Sequence, residues 1–406
     1  FLGDDEVEKL RRKEVLWGTL KEKEYKVLES EELKAAADEA EGDTGEAKEG
    51  EDEEEGPLRV LPDGTLSKAP IPLGRVKLGA AAFGHPVDPR AIAKLSAEKP
   101  PSCLMYTMAD SPAVGVNCIT TSSDGSLVVA GFSDSSLRVW DLKQAGGASS
   151  IASSRLIGHS GGVFATDISS CSRFVLSGSE DGTIRLWSVA LQADLVAYRG
   201  HNYPVWGAEF SPFQPYFASA SADRTARIWS TNRISPLRVL AGHLSDAHCP
   251  RWHPNGTYLA TGSADRTARL WDIRAAGGAG CVRVFGPSNG SVHALAFSPC
   301  GRKLAVGGDR GEVEIWDIAE GKRLAQLEGH EGSVWSLEFS KEGTLLASGA
   351  EDCSVNIWDA KPAASDKVLK PLVNMRTKHT PVFSLRFTKK NVLVAAGRYS
   401  PPEKSS

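Results

Sequence analysis

One polar constellation recurs four times along the chain: a histidine, a serine or threonine, an aspartate and a tryptophan. In each copy the Asp follows the hydroxyl residue by four positions and precedes the Trp by six. Ser, His and Asp are the residue types of nucleophilic catalysis, in which the His takes the proton of the hydroxyl. The four copies are His159, Ser177, Asp181 and Trp187; His201, Ser219, Asp223 and Trp229; His243, Thr261, Asp265 and Trp271; and His330, Ser348, Asp352 and Trp358.

The repetition argues against catalysis, because an active site is a unique set of groups and not a motif copied along the chain. Polar groups that lie between packed sheets must instead satisfy each other's hydrogen bonds. A chain of bonds from Trp through the hydroxyl and His to Asp would do so. The spacing therefore predicts four structural hydrogen-bond sets, no catalytic residue and no cofactor, so we expect a protein that is not an enzyme.

The tryptophans of these sets belong to a longer series with a spacing of 42 to 47 residues. Four of the six are followed by Asp, and Gly-His pairs lie between them. This period with these landmarks is typical of a four-stranded propeller blade, with three strands before the Trp and one after it. The six residues are Trp140, Trp187, Trp229, Trp271, Trp316 and Trp358.

Seven blades are predicted, because six complete units are followed by the start of another. In blade 2 the expected strands are Val163–Ile168, Phe174–Ser179, Ile184–Val189 and Leu195–Arg199. The seventh unit begins at residue 381 and lacks its outer strands, whereas the strand-like Cys103–Met108 precedes blade 1. We expect this segment to complete the last blade and close the ring, which removes exposed sheet edges. The fold class is thus all-β, a seven-bladed propeller over residues 103–401 with a tail at 402–406.

Blades 1 and 5 depart from the pattern. Blade 1 has Ala130 in the hydroxyl position and no preceding Gly-His. Blade 5 has Gly286-Pro287 in place of Gly-His, Ala305 in the hydroxyl position, and Asp309 seven residues before its Trp. Without the hydrogen-bond set these two blades should be the weaker members of the ring.

The N-terminal part differs in composition from the blades. Residues 1–40 show one apolar face at helical spacing, at Val7, Leu10, Trp17 and Leu20, and predict a helical segment. Residues 41–102 form an acidic low-complexity run followed by a proline-rich stretch, which we interpret as a disordered and then extended linker along the propeller wall. Because the chain begins at Phe1, we interpret it as a fragment of a longer protein.

Charge is distributed unevenly. Residues 1–60 hold 21 acidic and 10 basic side chains, a net of −11, whereas the whole chain carries −4. The remaining residues therefore carry +7, which is too mild a charge to indicate a nucleic-acid surface. Direct DNA contact is not expected, and no apolar run is long enough for a membrane helix.

Cysteine and histidine usage argues against a metal. The seven cysteines are odd in number and form no Cys-x-x-Cys pair, which argues against zinc and disulfides and fits a reducing compartment. His248, Cys249 and His253 lie close in sequence, but the two histidines should point to opposite faces of a strand. No metal site is therefore predicted.

Large aromatic residues recur near the start of the innermost strands, each directly after a valine. They are Phe164, Trp206, Trp335 and Phe383. One interpretation is packing between blades, as for most large apolar side chains. The other is an aromatic ring near the channel mouth that contacts a partner peptide, and the sequence leaves both open.

Taken together, these motifs resemble WD-repeat propellers and, more narrowly, the WD-repeat subunits of the general transcription factor TFIID. The narrower resemblance rests on residues 200–206 (GHNYPVW), residues 237–244 (LRVLAGHL), residues 392–401 (VLVAAGRYSP) and the linker at Arg75–Leu78 ahead of CLMYTM. The LisH-type region and helical dimerising domain of that family's fuller form are not present in this sequence.

The resemblance implies a non-catalytic nuclear scaffold in RNA polymerase II transcription initiation. Such a subunit would pack against histone-fold subunits of TFIID or of the SAGA coactivator and would take no small-molecule substrate. Two other WD-repeat functions stay open. A histone-tail reader would use the aromatic residues at the channel mouth. A G-protein β-like subunit would need an N-terminal coiled coil, against which the acidic and proline-rich linker argues.

Overall fold

The computed structural model describes residues 95–96, 100–108, 115–142, 153–213, 215–275, 280–361, 367–389 and 391–399. Within these ranges the regular structure is β-strand throughout, arranged as seven sheets, which confirms the predicted seven-bladed propeller. None of the described residues forms a helix with the length and apolar character needed to cross a membrane. The predicted helix, the acidic run and the tail lie outside the described residues.

The chain enters through β1 (Cys103–Met108), which belongs to the last blade, and then builds blades 1 to 3 in order. In each of these blades neighbouring strands pair antiparallel, from the channel outward. The strands are β2 (Val116–Thr121), β3 (Leu127–Phe132), β4 (Ser136–Asp141) and β5 (Ser153–Ile157); β6 (Val163–Ile168), β7 (Phe174–Ser179), β8 (Thr183–Ser188) and β9 (Ala193–Arg199); and β10 (Val205–Phe210), β11 (Tyr216–Ser221), β12 (Thr225–Ser230) and β13 (Arg238–Ala241).

Blades 4 to 6 follow the same plan, with one additional short strand paired to blade 5, and blade 7 has fewer strands. Their strands are β14 (Ala247–Trp252), β15 (Tyr258–Ser263), β16 (Ala268–Asp272) and β17 (Gly280–Phe285); β18 (Val292–Phe297), β19 (Lys303–Gly308), β20 (Val313–Asp317) and β21 (Arg323–Leu327); β22 (Val334–Phe339), β23 (Leu345–Ala350), β24 (Ser354–Asp359), β25 (Lys367–Leu369) and β26 (Val373–Arg376); and β27 (Val382–Phe387) and β28 (Leu393–Arg398).

The ring closes by pairing the two ends of the propeller. Strand β1 lies parallel to β28, with Cys103 opposite Leu393 and Met108 opposite Arg398. This confirms the predicted closure by residues 103–108. In the described residues blade 7 has three strands, because β1 pairs directly with the second strand of that blade.

Blades 5 and 6 are linked in a way that the repeat pattern did not predict. The connection between β24 and β26 of blade 6 contains β25, which pairs in parallel with β21, the outer strand of blade 5. The backbone N–H of Glu328 also donates to Leu369 O at 3.2 Å. Blade 5 therefore has five strands, and its outer edge is covered by a segment of blade 6.

The apolar core lies between blades, where the Trp of one blade packs on the end of the outer strand of the blade before it. A Cβ on Gly158, after β5, would lie only 3.0 Å from the Trp187 ring, and Gly329 stands in the same relation to Trp358 at 3.1 Å. The four tryptophans of the hydrogen-bond sets are at most 1% exposed. Trp140 and Trp316, which belong to the two atypical blades, are only partly buried.

On the face of the ring opposite the Gly-His loops, the turn after the innermost strand of blade 4 packs against the corresponding turn of blade 3. At Gly256 the backbone is left-handed, with φ of 67°. A Cβ there would lie 2.5 Å from Cδ2 of Phe213 in blade 3. Glycine is therefore required both by the backbone conformation and by the neighbouring ring.

Part of the proline-rich stretch contacts the propeller. The backbone N–H of Leu95 donates to Glu342 Oε2 at 3.1 Å, and Thr344 Oγ1 donates to Leu95 O at 3.2 Å. The Leu95 side chain is buried in the apolar cluster that contains Leu345. The segment just before β1 thus lies against blade 6 at this position.

Candidate functional site: the channel mouth

Each of the four predicted sets forms one continuous chain of hydrogen bonds. The hydroxyl oxygen lies 2.7 Å from His Nε2 in all four blades and accepts from Trp Nε1 at 2.7–2.8 Å. The His Nδ1 to Asp Oδ2 distances are 3.1, 2.7, 2.8 and 3.0 Å in blades 2, 3, 4 and 6. Because the hydroxyl accepts from the indole, its own proton is directed to His Nε2, and His Nδ1–H donates to the carboxylate.

In blades 3 and 4 the electrostatics fit a neutral histidine beside a carboxylate, because burial lowers the pKa values of His201 and His243. Burial raises the pKa of Asp223, but hydrogen bonds from His201 and Thr225 outweigh burial and lower this pKa to about 2. Asp265 and Asp352 have pKa values of about 2 for the same reasons. Burial lowers the pKa of His201 and outweighs the opposing effect of Asp223.

The burial of the hydroxyl groups decides what these sets can do. Ser177, Ser219, Thr261 and Ser348 have no exposed surface. A nucleophile must reach the reacting atom of a substrate, and these four cannot do so without unpacking the blades. The arrangement satisfies buried polar groups and holds each Trp in place.

Blade 5 replaces the missing set with a different one, which the sequence had not suggested. Trp316 Nε1 donates to Glu314 Oε2 at 3.1 Å, and Ser288 Oγ donates to the same oxygen at 3.0 Å. Arg323 Nη1 lies 3.3 Å from Glu314 Oε1. The detectable signal was a Glu two residues before the Trp, where blades 1 to 4 have Arg. In blade 1, Ala130 is fully buried.

The four predicted aromatic residues lie together at one end of the central channel. Centroid distances are 4.9 Å between Phe164 and Trp206 and 6.4 Å between Trp335 and Phe383. His248 and His293 fill the interval, 4.8 Å from each other and 6.4 and 4.9 Å from the neighbouring tryptophans. Six rings from blades 2 to 7 thus form an arc, which we call the aromatic arc.

A backbone irregularity places these side chains at the channel mouth. Every innermost strand has a register shift between its first and third residues, so that its second residue is left unpaired. Such a bulge redirects one side chain out of the normal alternation. The arc residue is this second residue in six blades, and blade 1 has Asn117 there. Phe383 also packs on the cluster between blades 7 and 1, as the packing interpretation predicts, and contact with a partner stays a prediction.

The side chains of His248, Cys249 and His253 do not face one common site. His248 belongs to the aromatic arc, whereas His253 Nε2 lies 2.9 Å from Gly301 O in the next blade. Burial and the neighbouring His293 lower the pKa of His248 to about 4, and burial raises that of Cys249 to about 12. Among the described residues no group of three or more His, Cys, Asp or Glu could hold a metal.

Below the aromatic arc, charged side chains line a channel of about 600 Å³. Arg251 Nη1 lies 2.9 Å from Glu209 Oε1, and Arg386 Nη1 lies 3.6 Å from Asp167 Oδ1. Burial raises the pKa of Glu209 to about 7, although Arg251 opposes this shift. These pairs were not predicted from the sequence, because their partners lie in different blades.

Comparison with known proteins places this geometry in a family. The model of the WD domain, G-beta repeat, matches residues 103–141, 151–188, 193–230, 234–272, 279–317 and 321–359, which is more than half of the chain. This chain belongs to the WD-repeat family. The matched segments each end at the Asp or Ser that follows a blade's Trp.

Similar WD-repeat proteins include several TFIID subunits, which confirms the narrower resemblance. Transcription initiation factor TFIID subunit 5 of Arabidopsis thaliana is 40% identical over 160 residues, 33% of this chain and 24% of the relative. The SAGA complex/transcription factor TFIID complex subunit Taf5 of Schizosaccharomyces pombe is 39% identical over 106 residues, 24% of this chain and 16% of the relative. WD repeat-containing protein 1 of Xenopus tropicalis is 32% identical over 101 residues, 25% of this chain and 16% of the relative. The matches span about a quarter or less of these relatives' own length.

Proposed function

We propose that this WD-repeat chain is a non-catalytic scaffold subunit of a TFIID- or SAGA-type complex that acts in transcription initiation by RNA polymerase II in the nucleus. The observation that carries the proposal is the similarity to four TFIID subunit 5 proteins, at 33–40% identity. The closed ring supports a scaffold, because the hydroxyl groups of its four polar sets are buried and repeat architectures use their outer surfaces for binding.

The partners in this proposal are histone-fold subunits of the complex and other transcription-complex proteins. The contact surface is the face that carries the aromatic arc, since Trp335 is 38% exposed there and aromatic side chains often dominate protein interfaces. Direct DNA contact is not part of the proposal, because the net charge of the propeller is mild.

Co-expression of the full chain with the histone-fold pair of such a complex tests the proposal. We expect one co-eluting species on size exclusion at micromolar concentration. Trp206→Ala with Trp335→Ala should weaken this species, whereas Val368→Ala, on the outer edge of blade 5, should not. Separate elution of the native proteins, with no transcription-factor subunits recovered from nuclei by the tagged chain, would refute the proposal.

A second candidate function is favoured by one specific observation. The aromatic arc stands above the carboxylates of Glu209 and Asp167, and Trp206 Nε1 donates to Asp246 Oδ2 at 3.3 Å. Aromatic faces beside carboxylates suit a cationic side chain, as in a histone tail. Titration with a labelled basic histone-tail peptide would separate the two candidates. Loss of peptide binding in Trp206→Ala, with co-elution retained, would favour the reader function.

A further inference from the structure

Four exposed side chains of blades 3 and 4 lie on the face that carries the channel mouth. Tyr203 and Leu244 are 60% and 78% exposed, and Leu244 is the most exposed large apolar side chain among the described residues. Arg224 and Arg266 are also exposed and occupy the turns between the second and third strands. We call these four residues the blade 3–4 patch.

The order of these four residues around the face follows from the contacts between neighbouring blades. The turn of one blade lies against the loop that enters the next: a Cβ on Gly182 would lie 2.8 Å from His201 O. The backbone N–H of Ser288 likewise donates to Arg266 O at 2.8 Å. The same relation places Arg224 between Tyr203 and Leu244, so apolar and basic side chains alternate around the face.

Both arginines stand in a backbone conformation that favours glycine. Arg224 and Arg266 each have φ of 65°, and the equivalent turns of blades 2 and 5 use Gly182 and Gly311 with φ of 74° and 77°. An L-residue there is disfavoured by the contact between Cβ and the backbone. The equivalent turns of blades 1 and 6 use Ser135 and Cys353 with φ of 61° and 60°, so this backbone conformation does not by itself require arginine.

The carboxylates beside these arginines are already engaged. Asp223 binds His201 at 2.7 Å and Arg227 at 3.3 Å. Asp265 binds His243 at 2.8 Å and accepts from the backbone N–H of Leu244 at 3.0 Å. Within the part of the chain that the structure describes, no ion pair of 4.0 Å or less involves Arg224 or Arg266. Leu244, next to Arg224, and Tyr203, on its other side, leave most of their side-chain surface exposed.

We propose that the blade 3–4 patch binds an acidic, amphipathic segment of a partner protein. Two carboxylates of that segment pair with Arg224 and Arg266, and its apolar side chains cover Leu244 and Tyr203. Charge complementarity selects this occupant, because the patch offers cations between apolar side chains. The inference goes beyond the scaffold function and does not depend on the identity of the complex.

Fluorescence anisotropy with the full chain tests the proposal. The probe is a short fluorescein-labelled peptide built from Glu and Leu with Ser spacers. Two control peptides carry Lys in place of Glu, or Ser in place of Leu. We expect the native chain to bind the Glu-Leu peptide alone, and more weakly as salt rises to ~0.3 M, because screening weakens exposed charge pairs.

Variants locate the binding. Arg224→Asn with Arg266→Asn keeps a residue that tolerates the left-handed conformation but removes both charges. This pair and Leu244→Ser should each weaken binding about tenfold. The matched controls Arg233→Asn and Ile157→Ser, both exposed on other surfaces, should bind as the native chain does. Equal melting temperatures across the set would exclude unfolding as the cause of weaker binding.

Several results would overturn the proposal. One is failure of the native chain to bind the Glu-Leu peptide, and another is equally strong binding of the Lys peptide by the native chain. Unchanged binding of the Glu-Leu peptide by both patch variants would have the same consequence. Loss in the arginine pair with none in Leu244→Ser would indicate a general anion site, and a short single-stranded RNA would then compete. Co-elution with histone-fold subunits is a separate experiment. A lack of peptide binding at the blade 3–4 patch would therefore not refute the scaffold proposal, and a lack of co-elution would not refute peptide binding.

Discussion

The hydroxyl of Thr261 accepts a hydrogen bond from Trp271, lies 2.7 Å from His243 Nε2 and has no exposed surface. Residue types that occur in catalytic sites satisfy one another's hydrogen bonds in this environment, within blade 4 and the loop that enters it. Each member of the set is satisfied by the next, so removal of one leaves a buried polar group without its partner. The cost of that loss usually exceeds the gain from one hydrogen bond.

Trp271→Ala should therefore lower the free energy of unfolding by about 3–5 kcal/mol, through a cavity and a hydroxyl that has lost its donor. Trp316→Ala should cost less, roughly 1–3 kcal/mol, because Trp316 is only partly buried. Its loss still removes one donor from Glu314. Denaturant titration measures both values, and the reverse order would contradict the structural role of the set.

The stability of the fold should depend on pH, because the pKa of Asp223 is lowered in the folded state. A carboxyl whose folded pKa is about 2 and whose unfolded pKa is about 4 stabilises the fold above the unfolded value. This contribution is lost as pH falls through about 4 towards 2. Asp223→Asn should melt a few degrees lower than the native chain at pH 7. This difference in melting temperature should become smaller as pH falls from 5 to 3. A constant gap over that range would contradict the prediction.

The residues that the sequence predicted and those it missed differ in one physical respect. The four sets repeat with the blade, so spacing alone identified them. Glu314 serves one blade, and the Glu209–Arg251 pair joins two blades, so neither leaves a periodic trace. His248 and His293 occupy the same bulge position as the four predicted aromatic residues, but they were not predicted because the recurring pattern was one of Phe and Trp and these two residues are histidines.

Among the elements, the turns show how closely one blade fits the next. Gly256 has a left-handed backbone and faces Phe213 across the blade boundary. The strands themselves were predicted within about two residues in blade 2, because valine, aromatic and turn residues alternate there at regular spacing. The short strand β25 was not predicted, because three residues are too few to show a hydrophobic alternation and the strand it pairs with lies in another blade.

Gly256→Ala should destabilise the propeller by about 1–3 kcal/mol, since Ala adds both backbone strain and a clash with Phe213. Gly280→Ala is the matched control: a Cβ there meets nothing within 4 Å. That variant should stay within about 0.5 kcal/mol of the native chain. Thermal melting compares them, and equal losses would show that the turn contact is unimportant.

At the scale of the whole molecule, the repeat period was sufficient to predict the number of blades and the closure by residues 103–108. Most of the linker predicted for residues 41–102 and the helix predicted over residues 1–40 lie outside the described residues and stay predictions. The surface that we propose for partners could not be predicted in full, because it combines side chains from different blades that only the closed ring brings together.

Truncation tests the closure. Removing residues 1–109 deletes β1 and leaves β28 with one unpaired edge, so the melting temperature should fall well below that of the full chain. Removing residues 1–60 leaves both β1 and Leu95 in place and should change it little. Equal melting temperatures for the two truncations would contradict the role of β1.

The pairing of β1 with β28 also sets an order of events during synthesis. Cys103 meets Leu393, a residue 290 positions later in the chain. Strand β1 leaves the ribosome long before β28 has been synthesised. Because the two strands are far apart in sequence, their pairing should be a slow step of folding. Blades 1 to 6 can assemble from neighbouring segments as they emerge, whereas the circle is completed only after translation has passed residue 398.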